Sequence, residues 1–265
     1  MNKYRVRPGQ RVDLDDYDPD DTHLVPGGKN EARDKNSAIQ ARLADQQELL
    51  YAGHEWKLLV VLQGMDTSGK DGTIRHVMGG FNPSGTRVAS FRKPTIDELD
   101  HDYLWRVHRQ LPGKGEVVVF NRSHYEDVLV VRVHELVPKA VWKRRYDQIR
   151  CFEQTQCEEG CVILKFFLHI SEDEQRKRLQ ARIDDPTKRW KFQTGDLEER
   201  ALWNDYRKAY EAALSKTSTD EAPWYVVPAN QKWYRNYIVG SVIAETLERL
   251  DMKYPQPDLS NIVIK

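Results

Sequence analysis

Short apolar runs alternate with longer amphipathic stretches along most of the chain. Five runs rich in Val, Leu, Ile and aromatic residues predict buried strands at residues 58–62, 87–91, 116–120, 162–168 and 224–227. Apolar residues at helical spacing predict helices over residues 30–53, 70–78, 95–109, 125–133, 139–158, 171–183, 197–214 and 232–250. Strands alternating with helices predict an α/β fold of three layers, with a parallel sheet covered on both faces.

The two ends of the chain follow a different pattern. Residues 1–30 contain Pro8, Pro19, Pro26 and the pair Gly27-Gly28, and predict an irregular N-terminal arm. We therefore expect residues 31–265 to form a single domain. At the other end, the apolar residues 262–264 follow a proline-containing tail, and we expect them to dock on a neighbouring element.

Composition narrows the class of protein. At 265 residues and 39% hydrophobic, the chain can bury a substantial core. Its formal net charge is zero, which argues against nucleic acid or a membrane as a partner. No apolar stretch approaches the roughly 20 residues that a membrane helix needs. The three cysteines fit no common zinc pattern and no signal peptide is evident, so we expect reduced thiols and a cytoplasmic protein.

The most informative stretch joins the first predicted strand to the helix that follows it. Gly64, Gly69 and Lys70 have the spacing of a phosphate-binding loop, G-x-x-x-x-G-K, on a strand–loop–helix unit. In such loops the backbone N–H groups line a nest for phosphate oxygens, and the lysine reaches the outer phosphates. We expect Gly64, Thr67, Ser68 and Gly69 to bind phosphate.

Two carboxylates distinguish this loop from the usual motif. Asp66 lies inside it, and Asp71 stands where a hydroxyl normally follows the lysine and touches Mg²⁺. A carboxylate beside phosphate would be repelled unless a divalent cation lay between them. We therefore interpret Asp66 as a magnesium contact. Asp71 is equally well explained as a carboxylate that the helix dipole favours.

Charged residues also follow the other predicted strands. Because the carboxyl ends of parallel strands meet at one edge of a sheet, the loops after each strand should form a single site. Arg92 and Lys93 follow the second strand. Asn121 and Arg122 follow the third, and Arg122 can form paired hydrogen bonds with phosphate oxygens. Glu126 could contact the nucleotide or could pair with Arg122 across one turn.

A basic segment follows the fourth predicted strand, and we expect it to face the phosphate loop. Residues 175–195 hold seven Lys or Arg against two Asp. Arg178 and Arg182 share one face of a helix that Ser171 caps, and the loop after it holds Lys191 beside Trp190. A solvated helix face is the alternative, but the pattern favours an aromatic-anchored lid at about residues 171–196 that closes positive charge over the transferring phosphoryl group.

Together these motifs are specific enough to name a family. The segments Gly64–Gly72, Arg92–Thr95 and Phe120–Asp127 resemble those of the family-2 polyphosphate kinases, and Trp190-Lys191 and Pro228–Trp233 extend the similarity. The resemblance covers roughly residues 30–250. It implies the phosphate-loop kinase fold of the related thymidylate kinases, with a helical lid.

The resemblance also implies an activity. It is phosphoryl transfer between inorganic polyphosphate and purine nucleotides, with Mg²⁺, in a cytoplasmic homo-oligomer (a dimer or tetramer). Asn121 followed by Glu126 is similar to the subgroup that accepts both nucleoside mono- and diphosphates. By position, Asp66, Lys70 and Arg122 resemble the catalytic core, Arg178, Arg182 and Lys191 resemble lid contacts, and Lys93 resembles a phosphate-chain or acceptor contact.

From the residues alone, two other functions stay open. One is a nucleoside monophosphate kinase that takes its phosphate from ATP. The other is a non-catalytic module that binds nucleotide or polyphosphate, which the neutral Asn121 favours because an amide cannot offset the charge of a metal ion. The convergence of basic residues on the phosphate loop favours an enzyme over a binding module.

Overall fold

Five parallel strands form one sheet in the computed structural model, which describes residues 1–260 and 264. They are β1 (Lys57–Gln63), β2 (Thr86–Ser90), β3 (Val117–Asn121), β4 (Cys161–His169) and β5 (Trp224–Pro228). Their order across the sheet is β2-β3-β1-β4-β5, so β1 is central. Val60 of β1 pairs with Val119 on one side and with Leu164 on the other. The predicted α/β fold with a parallel sheet is confirmed.

Helices cover both faces of this sheet. In chain order they are α1 (Gly28–Gly53), α2 (Lys70–Val77), α3 (Ile96–Leu99), α4 (Trp105–His108), α5 (Val130–Val133), α6 (Lys139–Glu158), α7 (Glu172–Asp184), α8 (Gly195–Ala201), α9 (Trp203–Thr217) and α10 (Lys232–Glu248). Helix α10 packs against α1 and α2, whereas α6 packs against α9 and β4. All five core residues of β1 from Leu58 to Leu62 are fully buried, which places the centre of the core between these layers.

The helix predicted over residues 95–109 is wrong, because the chain forms two short helices there. Thr95 caps α3 in a capping box with Glu98, as expected of a helix start. The helix then stops, and the Asp102 carboxylate accepts a hydrogen bond from the Leu104 N–H in a local turn before α4. Side chains of this kind compete with the helix for backbone hydrogen bonds, and apolar spacing alone does not reveal it.

Two more predicted helices are interrupted. Residues 124–127 form a 3₁₀ turn capped by Ser123, and Leu129, at φ −106° and ψ −86°, separates this turn from α5. The helix predicted over residues 197–214 divides at Leu202, so that α8 ends and α9 begins. The remaining helices and strands lie where the sequence predicts them, with ends that differ by at most two residues.

The N-terminal arm is packed onto the domain. Its regular structure is limited to two 3₁₀ turns, Asn2–Tyr4 and Leu14–Asp16, yet Tyr4, Val6 and Leu14 are buried. The Val6 N–H donates to the Trp224 carbonyl at 2.8 Å, next to an antiparallel bridge between Arg5 and Tyr225. The arm therefore covers the exposed edge of β5, which would otherwise offer unpaired backbone groups to another chain.

No helix within residues 1–260 is long and apolar enough to cross a membrane. A docking contact is expected for residues 262–264, of which Ile262 and Val263 lie outside the described residues and Ile264 is exposed.

Removal of the Tyr4 ring should destabilise the domain. The ring is buried, and its hydroxyl lies 2.7 Å from the Tyr234 hydroxyl. We expect Tyr4→Ala to lower the free energy of unfolding by about 3–5 kcal/mol, the usual effect of emptying a large aromatic site. Urea unfolding would measure this. The exposed Arg7 provides the control, and Arg7→Ala should leave stability nearly unchanged. Equal stability of the two variants would mean that the arm is not part of the cooperative unit.

Candidate active site

The phosphate loop, residues 64–70, turns sharply between β1 and α2. Gly64 has φ +153°, and a Cβ there would lie 2.7 Å from the Ser68 Oγ and 2.8 Å from the Leu168 carbonyl oxygen. Gly69 has φ +102°, and a Cβ there would overlap the Arg235 guanidinium. Both positions therefore require glycine for reasons of space as well as conformation. Thr67 also takes a positive φ of +65°.

Lys70 folds back over the loop. Its Nζ donates to the Gly64 carbonyl at 2.8 Å and to the Met65 carbonyl at 3.3 Å. The side chain is buried, and burial, followed by the nearby Arg122 guanidinium, lowers the pKa of Lys70 to about 8. The ammonium group is thus held at the loop with little water to stabilise its charge, which makes an anion a favourable neighbour.

Arg178 of α7 also contacts the phosphate loop. All five of its N–H groups have acceptors: Glu174 at 2.7 Å, the carbonyls of Thr67 and Ser68 at 3.0 and 3.1 Å, and the carbonyls of residues 229 and 230 at 2.7 and 2.9 Å. Arg178 thus ties the phosphate loop to the loop after β5. The direct phosphate contact that the sequence predicts for it stays a prediction.

Two further residues complete the support of the loop, and sequence reasoning missed both. The Gln175 amide donates to the Asp66 carbonyl at 3.2 Å, and the buried Arg235 donates to the Ser68 carbonyl at 3.4 Å. No carboxylate pairs with Arg235 within the described residues, and burial, then Arg178, lowers its pKa to about 9. Gln175 stands one helical turn before Arg178, a spacing that could have indicated its position.

Arg122 connects the two acidic residues at the mouth of the loop. Its Nη2 donates to the Asp66 Oδ1 at 2.9 Å, and its Nη1 lies 3.6 Å from the Glu126 Oε2. Glu126 also accepts a hydrogen bond from the Gln63 amide at 3.1 Å, and burial raises the pKa of its carboxyl group. The predicted pairing of Glu126 with Arg122 is therefore present. Arg122 itself adopts a left-handed φ of +61°.

A second set of charges meets at Asp71. The Asn121 amide donates to its Oδ1 at 2.8 Å, and the Lys191 ammonium lies 3.9 Å from its Oδ2. Arg182 lies 3.6 Å from Asp196 and 3.4 Å from the Lys191 carbonyl oxygen. Arg182 therefore fixes the backbone of the segment that carries Lys191, and Lys191 reaches the phosphate-loop end of α2.

The aromatic anchor predicted for the lid is wrong. The Trp190 side chain is 75% exposed, and its indole N–H donates to the Thr187 carbonyl three residues back. Lys188 and Arg189 likewise bond within the segment, to Asp185 and to the Ile183 carbonyl. Within the described residues, only Lys191 among the basic side chains of residues 185–195 approaches the phosphate loop. Lys93 is exposed, and no ion pair joins it to the described part of the site.

A cavity of about 300 Å³ opens beside the loop, toward α9. Its charged and polar lining residues are Asp66, Arg122, Glu126, Gln175, Gln193, Asp196 and Glu199. Three aromatic residues that sequence reasoning missed also line it: Trp203, Tyr206 and Tyr210. A lining of charged, polar and aromatic side chains fits a ligand that carries phosphate at one end and a heterocycle at the other.

The acidic residues fit a hard divalent cation only together with a ligand. Within residues 1–260 and 264, no group of three or more His, Cys, Asp or Glu side chains is arranged to hold a metal. Magnesium, however, is usually held by one or two carboxylates plus substrate phosphates and water. Asp66 and Asp71 at the two ends of the phosphate loop provide carboxylates of this kind.

A methyl group at Gly69 should abolish phosphate binding. The added Cβ would displace the Arg235 guanidinium and impose a positive φ on alanine, which costs about 1–3 kcal/mol. We expect Gly69→Ala to lose measurable phosphoryl transfer while its far-ultraviolet circular dichroism spectrum remains that of the wild type. Gly53→Ala is the control, because a Cβ at that position meets only one atom at an ordinary 3.7 Å. Normal activity of Gly69→Ala would show that the loop is not the phosphate site.

Comparison with known proteins agrees with this geometry. The family model described as Polyphosphate kinase 2 matches residues 27–256. A protein of Meiothermus ruber named AMP/ADP-polyphosphate phosphotransferase is 60% identical over 261 residues, which cover 98% of each chain. An ADP-polyphosphate phosphotransferase of Rhodopseudomonas palustris is 48% identical and covers 96% of this chain and 92% of its own.

Solved structures give the same result. The crystal structure of polyphosphate kinase 2 from Arthrobacter aurescens TC1 superposes with a TM-score of 0.91 at 45% identity, and covers 96% of this chain and 91% of that one. Since the family model matches most of the chain and these relatives match nearly all of it, the protein belongs to the polyphosphate kinase 2 family.

Proposed function

We propose that this protein transfers phosphoryl groups reversibly between inorganic polyphosphate and AMP or ADP. The proposal extends to GMP and GDP as substrates. The observation that carries the proposal is a phosphate loop that holds Lys70 over its own carbonyls and borders a cavity where Arg122 pairs with Asp66 beside aromatic side chains. The printed names of the relatives, which specify AMP, ADP and polyphosphate, support the same reaction.

The reaction requires two phosphorylated ligands to meet in line. The terminal phosphoryl group of polyphosphate is transferred to an oxygen of the nucleotide phosphate, and the shortened chain leaves with the bonding electrons. Proteins assist this chemistry mainly by positioning and by stabilising charge on the three equatorial oxygens. We assign Lys70 to the donor phosphates and Arg122 to the oxygens of the transferring group.

The remaining site residues support this arrangement. Thr67 and the two loop glycines would present backbone N–H groups to phosphate. The Ser68 N–H donates to the Met65 carbonyl at 3.1 Å, so the phosphate contact predicted for Ser68 would need a rearrangement of that bond. Lys191, beside Asp71 and Asn121, would contact the phosphate chain as it enters, and Lys93 would act farther along the chain or on the acceptor. We assign positioning roles to Arg178, which holds the phosphate loop, and to Arg182, which holds the Lys191 segment.

A divalent cation, which we propose to be Mg²⁺, would be shared by Asp66 and substrate phosphates, and it would neutralise charge between the two ligands. In this arrangement Arg122 would exchange its contact with the Asp66 Oδ1 for phosphate oxygens. A cytoplasmic homo-oligomer, a dimer or tetramer, stays a prediction from the sequence.

The competing function is an ATP-dependent nucleoside monophosphate kinase. Incubation with polyphosphate and AMP, without added ATP or ADP, separates the two. Formation of ADP and then ATP supports the proposal, and phosphate transfer to AMP from ATP alone contradicts it. Tight nucleotide binding without any Mg²⁺-dependent turnover would instead favour a binding module.

Loss of either cationic side chain should abolish turnover. We expect Lys70→Ala and Arg122→Ala to lower kcat by about 10³-fold or more, the effect of losing a positioned cation at a transferring phosphoryl group. The coupled polyphosphate assay measures kcat, and thermal unfolding checks the fold. Arg176→Ala is a matched control, because Arg176 is an exposed arginine on α7 whose one ion pair within the described residues is with Asp173. If either site variant kept near-normal kcat, its assigned role would be wrong.

The depressed pKa of Lys70 predicts a pH dependence. Burial lowers this pKa to about 8, so the fraction of free enzyme with a charged Lys70 falls as pH rises through that value. Since kcat/KM reports the free enzyme, kcat/KM for polyphosphate should decline above about pH 8. Bound phosphate favours the charged form, so kcat should fall only at higher pH. Parallel profiles at constant free Mg²⁺ test this, and a kcat/KM that stays constant to pH 10 would contradict it.

A further inference from the structure

A charged network lies in the core beneath the active site, where none of its members can touch a substrate. Lys165 in the middle of β4 and Glu153 on α6 are fully buried, and the Lys165 Nζ lies 2.5 Å from the Glu153 Oε2. The same Nζ donates to the Tyr125 hydroxyl at 3.0 Å and to the Thr217 carbonyl at 2.8 Å. A lysine at the centre of a buried parallel strand is unusual, because its charge must be removed from water.

The other members of this network belong to the turn that carries Arg122. The Tyr125 hydroxyl lies 2.9 Å from the Glu153 Oε1, and the His124 Nε2 lies 3.2 Å from the same oxygen. Tyr125 and His124 are fully buried. They stand between Arg122 and Glu126, whose side chains point into the cavity instead. The turn at residues 122–127 is thus bound to the core on one side and lines the active site on the other.

The backbone of this turn needs such an anchor. Arg122 has φ +61°, a left-handed conformation that a non-glycine residue adopts only when its surroundings enforce it. The Ser123 hydroxyl accepts hydrogen bonds from the Tyr125 N–H and from the Gln63 amide, both at 3.1 Å, which tightens the turn. These local bonds do not attach the turn to the opposite layer, whereas the contacts of Tyr125 and His124 with Glu153 do.

We propose that this buried network positions the 122–127 turn, so that Arg122 and Glu126 point at the transferring phosphoryl group. The network consists of Lys165, Glu153, His124, Tyr125 and Thr217. Replacing a buried ion pair by apolar residues is often neutral or stabilising, so stability alone does not explain its presence. A role in fixing the geometry of a catalytic side chain does explain why the ion pair is present. The inference rests on the proposed role of Arg122.

The central variant is Tyr125→Phe, which keeps the ring and removes the hydroxyl shared by Lys165, Glu153 and Thr217. We expect kcat to fall by about 10- to 100-fold, the effect of a small misplacement of a catalytic group, with KM for polyphosphate and ADP changed less than about threefold. Tyr146→Phe is the matched control, because the buried Tyr146 hydroxyl also bonds to a charged side chain, Arg132 at 3.2 Å, but belongs neither to the network nor to the support of the phosphate loop. It should keep wild-type kcat.

A second variant tests the charges themselves. Lys165→Met with Glu153→Gln removes both charges while conserving volume, so no unpaired buried charge is left. We expect this double variant to remain folded at the assay temperature, as judged by circular dichroism, and to lose kcat as Tyr125→Phe does. Wild-type kcat in either folded variant overturns the proposal.

A double-mutant cycle with Arg122→Lys separates positioning from a general loss of structure. If Tyr125 acts through Arg122, Arg122→Lys combined with Tyr125→Phe should lower kcat no further than Arg122→Lys alone, within about twofold. Multiplicative losses would show that Tyr125 acts independently and would contradict the inference. If instead Arg122→Lys and Arg122→Ala both kept wild-type kcat, the proposed function of the site would fail before the network was tested.

Discussion

Satisfying the carbonyl groups of the phosphate loop is the constraint on which the site depends. When a loop turns its N–H groups toward a ligand, its carbonyls point away and need donors of their own, because unpaired buried carbonyls are costly. Side chains supply those donors at five consecutive residues: Gly64 and Met65 from Lys70, Asp66 from Gln175, Thr67 from Arg178, and Ser68 from Arg178 and Arg235. Cationic side chains near the loop can therefore support its carbonyl groups or bind phosphate, and only some of them are free to bind phosphate.

The arm at the N-terminus takes part in the same support. Arg178 donates to the carbonyl of Asn230, and the Asn230 N–H in turn donates to the Pro19 carbonyl at 3.1 Å. The Asn230 amide also reaches Asp20 at 2.7 Å. A continuous path of hydrogen bonds thus connects the arm, the loop after β5, Arg178 and the phosphate loop. This path gives the acidic stretch at residues 13–21 a structural use that its composition alone does not reveal.

The sequence was sufficient for the sheet, the phosphate loop and the convergence of Arg122 on Asp66, because these follow from local patterns and from the rule that parallel strands end at one edge. It was not sufficient for Arg178. The i, i+4 spacing with Arg182 shows that both lie on one helix face, but not that backbone carbonyls occupy the space in front of Arg178. The interruptions of the predicted helices were missed for a similar reason. Single side chains such as Asp102 end a helix, whereas hydrophobic periodicity averages over several residues.

The two halves of helix α7 bond to different parts of the site. Gln175 and Arg178, near its start, bond to the phosphate loop, so this part of the helix belongs to the base of the site. In the part of the chain that the structure describes, the Arg182 side chain, one turn later, bonds to the segment that carries Lys191 and Asp196. If residues 185–195 act as the lid that the sequence predicts, they would pivot beyond Arg178, since a pivot earlier in the helix would break the contacts of Gln175 and Arg178 with the phosphate loop. In such a motion Lys191, rather than Arg178, would be the side chain that changes its distance from the phosphate loop.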